Sequence, residues 1–308
     1  MKGFITELIK FLIPCLLLMV IFELMLRIIP NDYRNKSAFL DENSDSIEVL
    51  ILGNSHSENG LNPEYLTKCS FNAAFPAQSL DYDYEILKKY EHKWSNLEYI
   101  ILPISYGSFF EKLESTTEKW RITEYTLHFK LRTNKHLKYR SEMLSNRFNV
   151  NITRLFNYYI LRKDNVKCTR SGWNVTYSSS SKSNKTLMET GLINAKSYTA
   201  KSLQYFDEMA SALRSIVDFG ERHSFQVILF TPPAFETYRE NLNQEQISKT
   251  IKTATIISQK YEYCDYYNML DDKSFNINDF FDADHLNKAG ARKLTFKIDS
   301  IIQGNATK

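Results

Sequence analysis

The segment Ile47-Glu48-Val49-Leu50-Ile51-Leu52-Gly53-Asn54-Ser55-His56-Ser57-Glu58-Asn59-Gly60 reads as a buried strand running into a tight turn that ends on a serine. Val49 to Leu52 are apolar at consecutive positions, as a strand covered on both faces of a parallel sheet should be. Gly53 allows a sharp turn, and Asn54 tolerates unusual dihedrals. A serine at the carboxyl end of such a strand stands where open α/β sheets bind ligands. The plainer reading of Ser55 is a helix N-cap, a role that Ser, Asn and Asp all fill well.

Outward from this segment, strands and helices alternate. Further strands are expected at Cys69–Ala74, Tyr99–Pro103, Gln226–Thr231 and around Cys264–Tyr267. Helices are expected at Leu80–His92, Ala200–Arg222, Gln244–Tyr261 and Asn287–Ile302. That alternation argues an α/β fold, a parallel sheet with helices on both faces. No internal repeat is visible.

A serine nucleophile needs a base to take its proton, and the base needs a third group to hold its ring. The loop Asp279-Phe280-Phe281-Asp282-Ala283-Asp284-His285-Leu286-Asn287 offers both, with Asp282 three residues before His285. Gly53-Asn54-Ser55 together with Asp282-Ala283-Asp284-His285 resembles the SGNH (GDSL-like) hydrolases. Their first block is Gly-Asp-Ser on the turn after the first strand, and their last is Asp-x-x-His before the C-terminal helix. The resemblance spans roughly Ile47 to Ile302, with a poorly matched middle. It implies a flavodoxin-like three-layer α/β/α domain. It also implies a catalytic set in which Ser55 attacks an ester carbonyl, His285 shuttles the proton and Asp282 orients His285. Asp284 is a rival to Asp282, and Ser57 a weaker rival to Ser55.

The chain departs from the family pattern at two places. Where the family places a glycine N–H in the oxyanion hole after the second strand, Ala74 or Ala77 stands here. Where the family carries Gly-x-Asn-Asp after the third strand, this chain has Ile104-Ser105-Tyr106-Gly107. The Ser105 hydroxyl, Asn54 or His56 are then the candidates for the remaining donor. A membrane-anchored subset of the superfamily, active in bacterial envelope polysaccharide and teichoic-acid modification, is similar in its anchor and divergent middle.

Residues 1–30 are expected as a membrane anchor, because Leu8 to Pro30 is mostly apolar and about long enough to cross a bilayer. Glu23 and Arg27 are spaced to pair on one helix face. No small-x-small cleavage site follows, and Pro14-Cys15 lacks the small residue expected before a lipidated cysteine. Flanking charges leave the orientation open. Residues 31–46 read as a polar linker. Residues 47–308 read as the α/β domain, with an insertion at about 107–199 that forms a lid or partner surface. Trp120, Arg121 and Trp173 are expected to line an acceptor groove there. The apolar spacing from Arg140 to Leu161 reads as helix packing, and Ser178–Asn184 as a flexible loop.

Across 308 residues the net charge is +3, which gives no case for nucleic-acid binding. The many Tyr, Phe and Asn suit a surface that contacts carbohydrate. Cys15, Cys69, Cys168 and Cys264 show no metal spacing and no disulfide framework, and no cofactor or metal is expected. Asn-x-Ser/Thr triplets at Asn35, Asn151, Asn174, Asn184 and Asn305 would matter only in a eukaryotic secretory protein.

Three functions are open at this stage. One is an anchored esterase or O-acyltransferase acting on acyl, chiefly acetyl, esters of an envelope polysaccharide, its catalytic domain outside the cytoplasm. A second is an SGNH-like assembly or binding protein without turnover, working with envelope biosynthesis partners. A third is a flavodoxin-like nucleotide binder, which would want a phosphate loop richer in Gly, Ser and Thr.

Overall fold

The computed structural model describes residues 2–131, 133, 136–178 and 184–305. Most of the serine-rich loop expected at 178–184 lies outside the described residues. In chain order the chain opens with helices α1 (Lys2–Ile28) and α2 (Asp32–Asn43), strand β1 (Val49–Ile51) and helix α3 (Ser55–Gly60). Strand β2 (Ser70–Asn72), helix α4 (Leu80–Lys89) and strand β3 (Tyr99–Pro103) follow. Helices α5 (Arg121–Leu127), α6 (Glu142–Ser145), α7 (Phe148–Leu155), α8 (Asn184–Ser197) and α9 (Phe206–His223) lead to strand β4 (Gln226–Thr231). Helices α10 (Glu236–Glu240) and α11 (Gln244–Lys260), strand β5 (Cys264–Asn268) and helix α12 (Lys288–Asn305) complete the order.

The chain divides into two compact units. One comprises Met1–Ser37 with Lys119–Val166, the other Ala38–Glu118 with Lys167–Lys308.

The second unit holds a five-stranded sheet in the order β2-β1-β3-β4-β5, every neighbour parallel. Leu50 pairs in register with Phe71 and Ile100, and Ile100 with Val227. The central strands are apolar at consecutive positions because both faces are covered. Val49, Ile51, Ile101, Ile228 and Phe230 form one core with Leu294, Ile298 and Ile302 of α12. Each such side chain contributes about 1.5–3 kcal/mol on full burial. The alternate residues, among them Leu50, Ile100 and Val227, point to the other face. There α9 comes close enough that a Cβ on Gly220 would lie 2.5 Å from Val227 Cγ2. The chain runs from β1 to β2 on one side and returns to β3 on the other. The carboxyl ends of β1 and β3 therefore flank a topological switch point, where such sheets bind ligands.

In the first unit, α1 is 27 residues and about 40 Å long, with Phe4, Phe11, Leu17, Leu18 and other large apolar side chains exposed. Its segment Gly3–Ile28 has a mean hydropathy of 2.4. Among the described residues it is the one helix long and apolar enough to cross a membrane. Glu23 and Arg27 pair at 2.7 Å as their spacing suggested. Glu23 also accepts the N–H groups of Glu142 and Met143 at 3.0 and 2.9 Å, tying α1 to the start of α6.

Several boundaries differ from the sequence reading. The expected linker 31–46 is largely helix α2, because its polar run conceals Tyr33 and Leu40, both buried. The helix expected from Ala200 begins at Phe206, and a separate helix, α8, precedes it. Gln246 explains the break: its side chain accepts the Ala200 N–H and donates to the Tyr198 carbonyl, holding that backbone out of helix. The Arg140–Leu161 periodicity resolves into α6, α7 and a π-helical turn at Phe156–Ile160. The expected insertion is split, with 119–166 in the first unit and 107–118 and 167–199 in the second.

Candidate active site

Gly53 lies just beyond β1 with φ +105, and a Cβ there would sit 2.2 Å from Pro103 Cδ. Only glycine meets both demands, the left-handed turn and the close pass against β3. Its N–H donates to Asp83 Oδ1 at 2.8 Å, and Gln78 Nε2 donates to the same oxygen at 2.5 Å. Burial pushes the Asp83 carboxyl up to about 8. Asn54 then caps α3, its Oδ1 accepting the His56 N–H at 3.1 Å, a bond worth about 1 kcal/mol. Ser55 is thus the first residue of the helix rather than its cap, and its side chain is left for other chemistry.

Ser55 Oγ lies 2.9 Å from His285 Nε2. His285 Nδ1 lies 2.9 and 3.1 Å from the two oxygens of Asp282. Asp282 Oδ1 also accepts the backbone N–H of Asp284 and of His285, at 3.2 and 2.8 Å, so the carboxylate shapes its own loop. The three residues named from sequence meet, 230 residues apart in the chain at the serine–histidine bond. Asp284 is close as well, its Oδ1 3.3 Å from His285 Nδ1, and Asn194 Nδ2 donates to that oxygen at 2.5 Å. Ser57, the rival serine, is fully buried, its hydroxyl without a hydrogen-bond partner among the described residues.

His56 joins the cluster, although sequence reasoning gave it only a donor role. Its ring stacks on His285 with centroids 4.9 Å apart, and its Nε2 faces Asp284 Oδ2 at 3.7 Å. Its Nδ1 lies 3.1 Å from both Asn54 Oδ1 and Ser105 Oγ, and Asn54 Nδ2 donates to Ser105 Oγ at 2.9 Å. Asn54 and Ser105 therefore bracket His56 and couple the turns after β1 and β3.

Burial disfavours charge on His285, but the carboxylates of Asp284 and Asp282 outweigh it and raise its pKa well above the ordinary histidine value. Burial, reinforced by the charge on His285, holds His56 down to about 4. Burial opposes charge on Asp284 too, yet the two imidazoles hold its carboxyl well below the usual range.

The expected oxyanion donor at Ala74 is committed elsewhere: its N–H donates to Asn72 Oδ1 at 3.0 Å. The N–H groups of Ala73 and Phe75 bond the carbonyls of Ile51 and Gly53, at 2.8 and 3.1 Å. Ala77 has φ 56, in the left-handed region that favours glycine. Among the described residues, no partner is found for the N–H of Ser55 or of Ala77.

A segment of the expected insertion, residues 172–177, covers the cluster. Tyr177 stacks on Phe281 at 4.2 Å and meets His285 edge-on at 5.1 Å. Gly172, with φ +88, passes so close to β2 that a Cβ would lie 2.1 Å from the Asn72 carbonyl oxygen. Trp173 is buried, its indole donating to the Asn59 carbonyl at 2.8 Å, so it packs beneath the site rather than lining an open groove. Trp120 and Arg121 belong to the first unit, where the guanidinium lies over the indole at 4.5 Å. Tyr177 and Asn194 carry no motif that a single sequence could reveal.

Ligand-type atoms of His56, Asp284 and His285 lie within 4.8 Å of one another. Ser55 and Asp282 already engage both ring nitrogens of His285, so a cation ligated by His285 would first have to break one of those bonds.

Neither family models nor curated proteins match this chain. A solved structure provisionally described as a platelet activating factor, from Streptococcus pneumoniae, is similar at 11% identity and a TM-score of 0.41. The match covers 87% of this chain and 90% of that one, a loose likeness that fixes neither fold subtype nor activity.

Proposed function

We infer that the chain is a serine ester hydrolase or O-acyltransferase of SGNH type, with a flavodoxin-like catalytic domain, anchored in a membrane by α1. The observation that carries this reading is the Ser55–His285–Asp282 relay, with bonds of 2.9 and 2.9 Å. In the proposed cycle His285 takes the proton from Ser55 Oγ as it attacks an ester carbonyl. The tetrahedral intermediate collapses, His285 returns the proton to the leaving alcohol, and an acyl-Ser55 forms. Water or a sugar hydroxyl, deprotonated by the same imidazole, then takes the acyl group. Asp282 holds Nδ1–H and stabilises the imidazolium. The Ser55 N–H is a donor left for the oxyanion, with Ala77 N–H the second candidate in place of Ala74. One such donor is worth about 3 kcal/mol of barrier.

The substrate class is an acylated glycan of a bacterial envelope, with acetyl the proposed group and the catalytic domain extracytoplasmic. The exposed apolar helix α1 supports a membrane location. The SGNH resemblance supports an ester or acyl-transfer reaction. A second reading, a binding protein without turnover, draws support from the engaged Ala74 N–H. The test is acetate release or transfer from acetylated glycans by the full chain in detergent, beside Ser55→Ala. Serine-dependent turnover supports an enzyme. Glycan binding that is equal in both proteins, without turnover, supports the binding protein.

A further inference from the structure

The first unit contains a second cluster that the serine chemistry does not use. Glu124 and His128 stand one turn apart at α5, and Glu142 opens α6. Glu124 is 4% exposed and Glu142 fully buried. His128 Nε2 lies 3.3 Å from Glu124 Oε2 and 3.9 Å from Glu142 Oε1. Ligand-type atoms of the three all fall within 4.8 Å of one another.

The atoms that meet here are acceptors. Glu142 Oε2 is taken by Arg154 Nη1 at 2.8 Å. The other oxygen, Oε1, is the one facing His128, and among the described residues it has no hydrogen-bond partner. The imidazole is turned the same way. Asn31 Oδ1 accepts the Arg34 N–H at 2.9 Å, which fixes the amide so that its Nδ2 is the atom 3.2 Å from both Glu124 Oε2 and His128 Nε2. Receiving a bond from that NH₂ group, Nε2 is the unprotonated nitrogen, and an ion would take its lone pair in place of the amide. Two buried carboxylates and an imidazole lone pair thus converge with one amide donor between them. A buried carboxylate oxygen without a partner is costly, and buried charges are normally paired or coordinated to metal.

We propose that Glu124, His128 and Glu142 hold one divalent transition-metal ion. Metal–ligand bonds of about 2.1 Å at tetrahedral angles put ligand atoms roughly 3.4 Å apart. The observed 3.3 and 3.9 Å bracket that spacing. Two carboxylates with one imidazole suit Zn²⁺ or a neighbouring ion better than Ca²⁺, which takes six to eight oxygens. Arg154 acts behind the ligands, steering Glu142 Oε1 inward, whereas the Asn31 amide, bonded to Glu124 Oε2 and His128 Nε2 themselves, gives way to the ion. The ion would join α5 to α6, whose first N–H groups Glu23 of α1 accepts.

The test uses the full chain in detergent, stripped by chelator and titrated with Zn²⁺ alone. Asp284→Asn removes the other candidate cluster, and the site predicts one equivalent bound in this variant as in wild type. Glu142→Gln and His128→Gln should each abolish that equivalent. X-ray absorption on the wild-type zinc complex reads the ligands without any variant. One imidazole with oxygen ligands supports the site, whereas two imidazoles, or sulfur, overturn it. Absence of stoichiometric Zn²⁺ in the wild type, or an equivalent that survives both folded ligand variants, also overturns it.

Discussion

The imidazole of His56 lies nearly parallel to that of His285, with ring centroids 4.9 Å and planes 11° apart. Two cations at that spacing repel strongly in a buried site, so one ring carries the charge and the other is kept neutral. Asp282 and Asp284 both contact His285, and it takes the charge. His56 is the neutral partner, held down to about 4 by burial and by its charged neighbour.

That assignment fixes a pH dependence for the serine. A general base must be neutral to accept a proton, and the carboxylates hold His285 protonated to well above the ordinary histidine range. Acylation of Ser55 by an activated ester should therefore rise with pH through a midpoint above 6.5, the ordinary value. Asp284→Asn removes one of the two charges and should move the midpoint downward. A midpoint unchanged in the variant would show that Asp284 does not tune the base.

Stability should respond to pH in the opposite sense at His56. Its folded pKa is depressed from 6.5 to about 4, so the unfolded chain binds a proton in that window that the folded chain does not. The contribution is fully present above pH 6.5 and is lost as pH falls toward 4, by roughly 3 kcal/mol. The raised pKa of His285 acts the other way: its contribution is full below 6.5 and is lost as pH rises through the folded value. Thermal melts of His56→Gln between pH 4 and 7 should depend less steeply on pH than those of wild type. Parallel curves would remove His56 from the account.

Gly53→Ala should be severe. The new methyl would meet Pro103 Cδ at 2.2 Å, on a backbone whose φ of +105 already disfavours any side chain. Strain and overpacking together are expected to cost roughly 3 kcal/mol or more. Denaturant unfolding measures the loss. Serine reactivity should fall more than the unfolded fraction explains, because the same turn aims Ser55.

The sheet was legible because its signals are local. Tyr99–Pro103 and Gln226–Thr231 are short apolar runs bounded by polar residues or proline, and both strands lie where the pattern put them. The serine, histidine and aspartate were legible because each sits in a short motif at a strand end or before a helix. The layer around them was not. Tyr177 and Asn194 reach the site from segments with no chemical signature, and Ala74 looked like a free donor until Asn72 was seen to occupy its N–H. Helix α2 was hidden by its polar composition, since Tyr33 and Leu40 are too few to mark an amphipathic stripe. Glu124, His128 and Glu142 are separated by ordinary sequence and converge only through the packing of α5 and α6.

The central claim is that His285 activates Ser55. Reaction of the full chain with a fluorophosphonate, followed by peptide mass spectrometry, tests it most directly. The account predicts a single adduct on Ser55, absent in Ser55→Ala and in His285→Ala. It also predicts a rate reduced by about 10³- to 10⁴-fold in Asp282→Asn, the loss seen when a triad carboxylate no longer holds the right tautomer. A folded wild-type protein that forms no adduct at Ser55 at any pH from 6 to 10, or one whose adduct forms equally fast without His285, would contradict it.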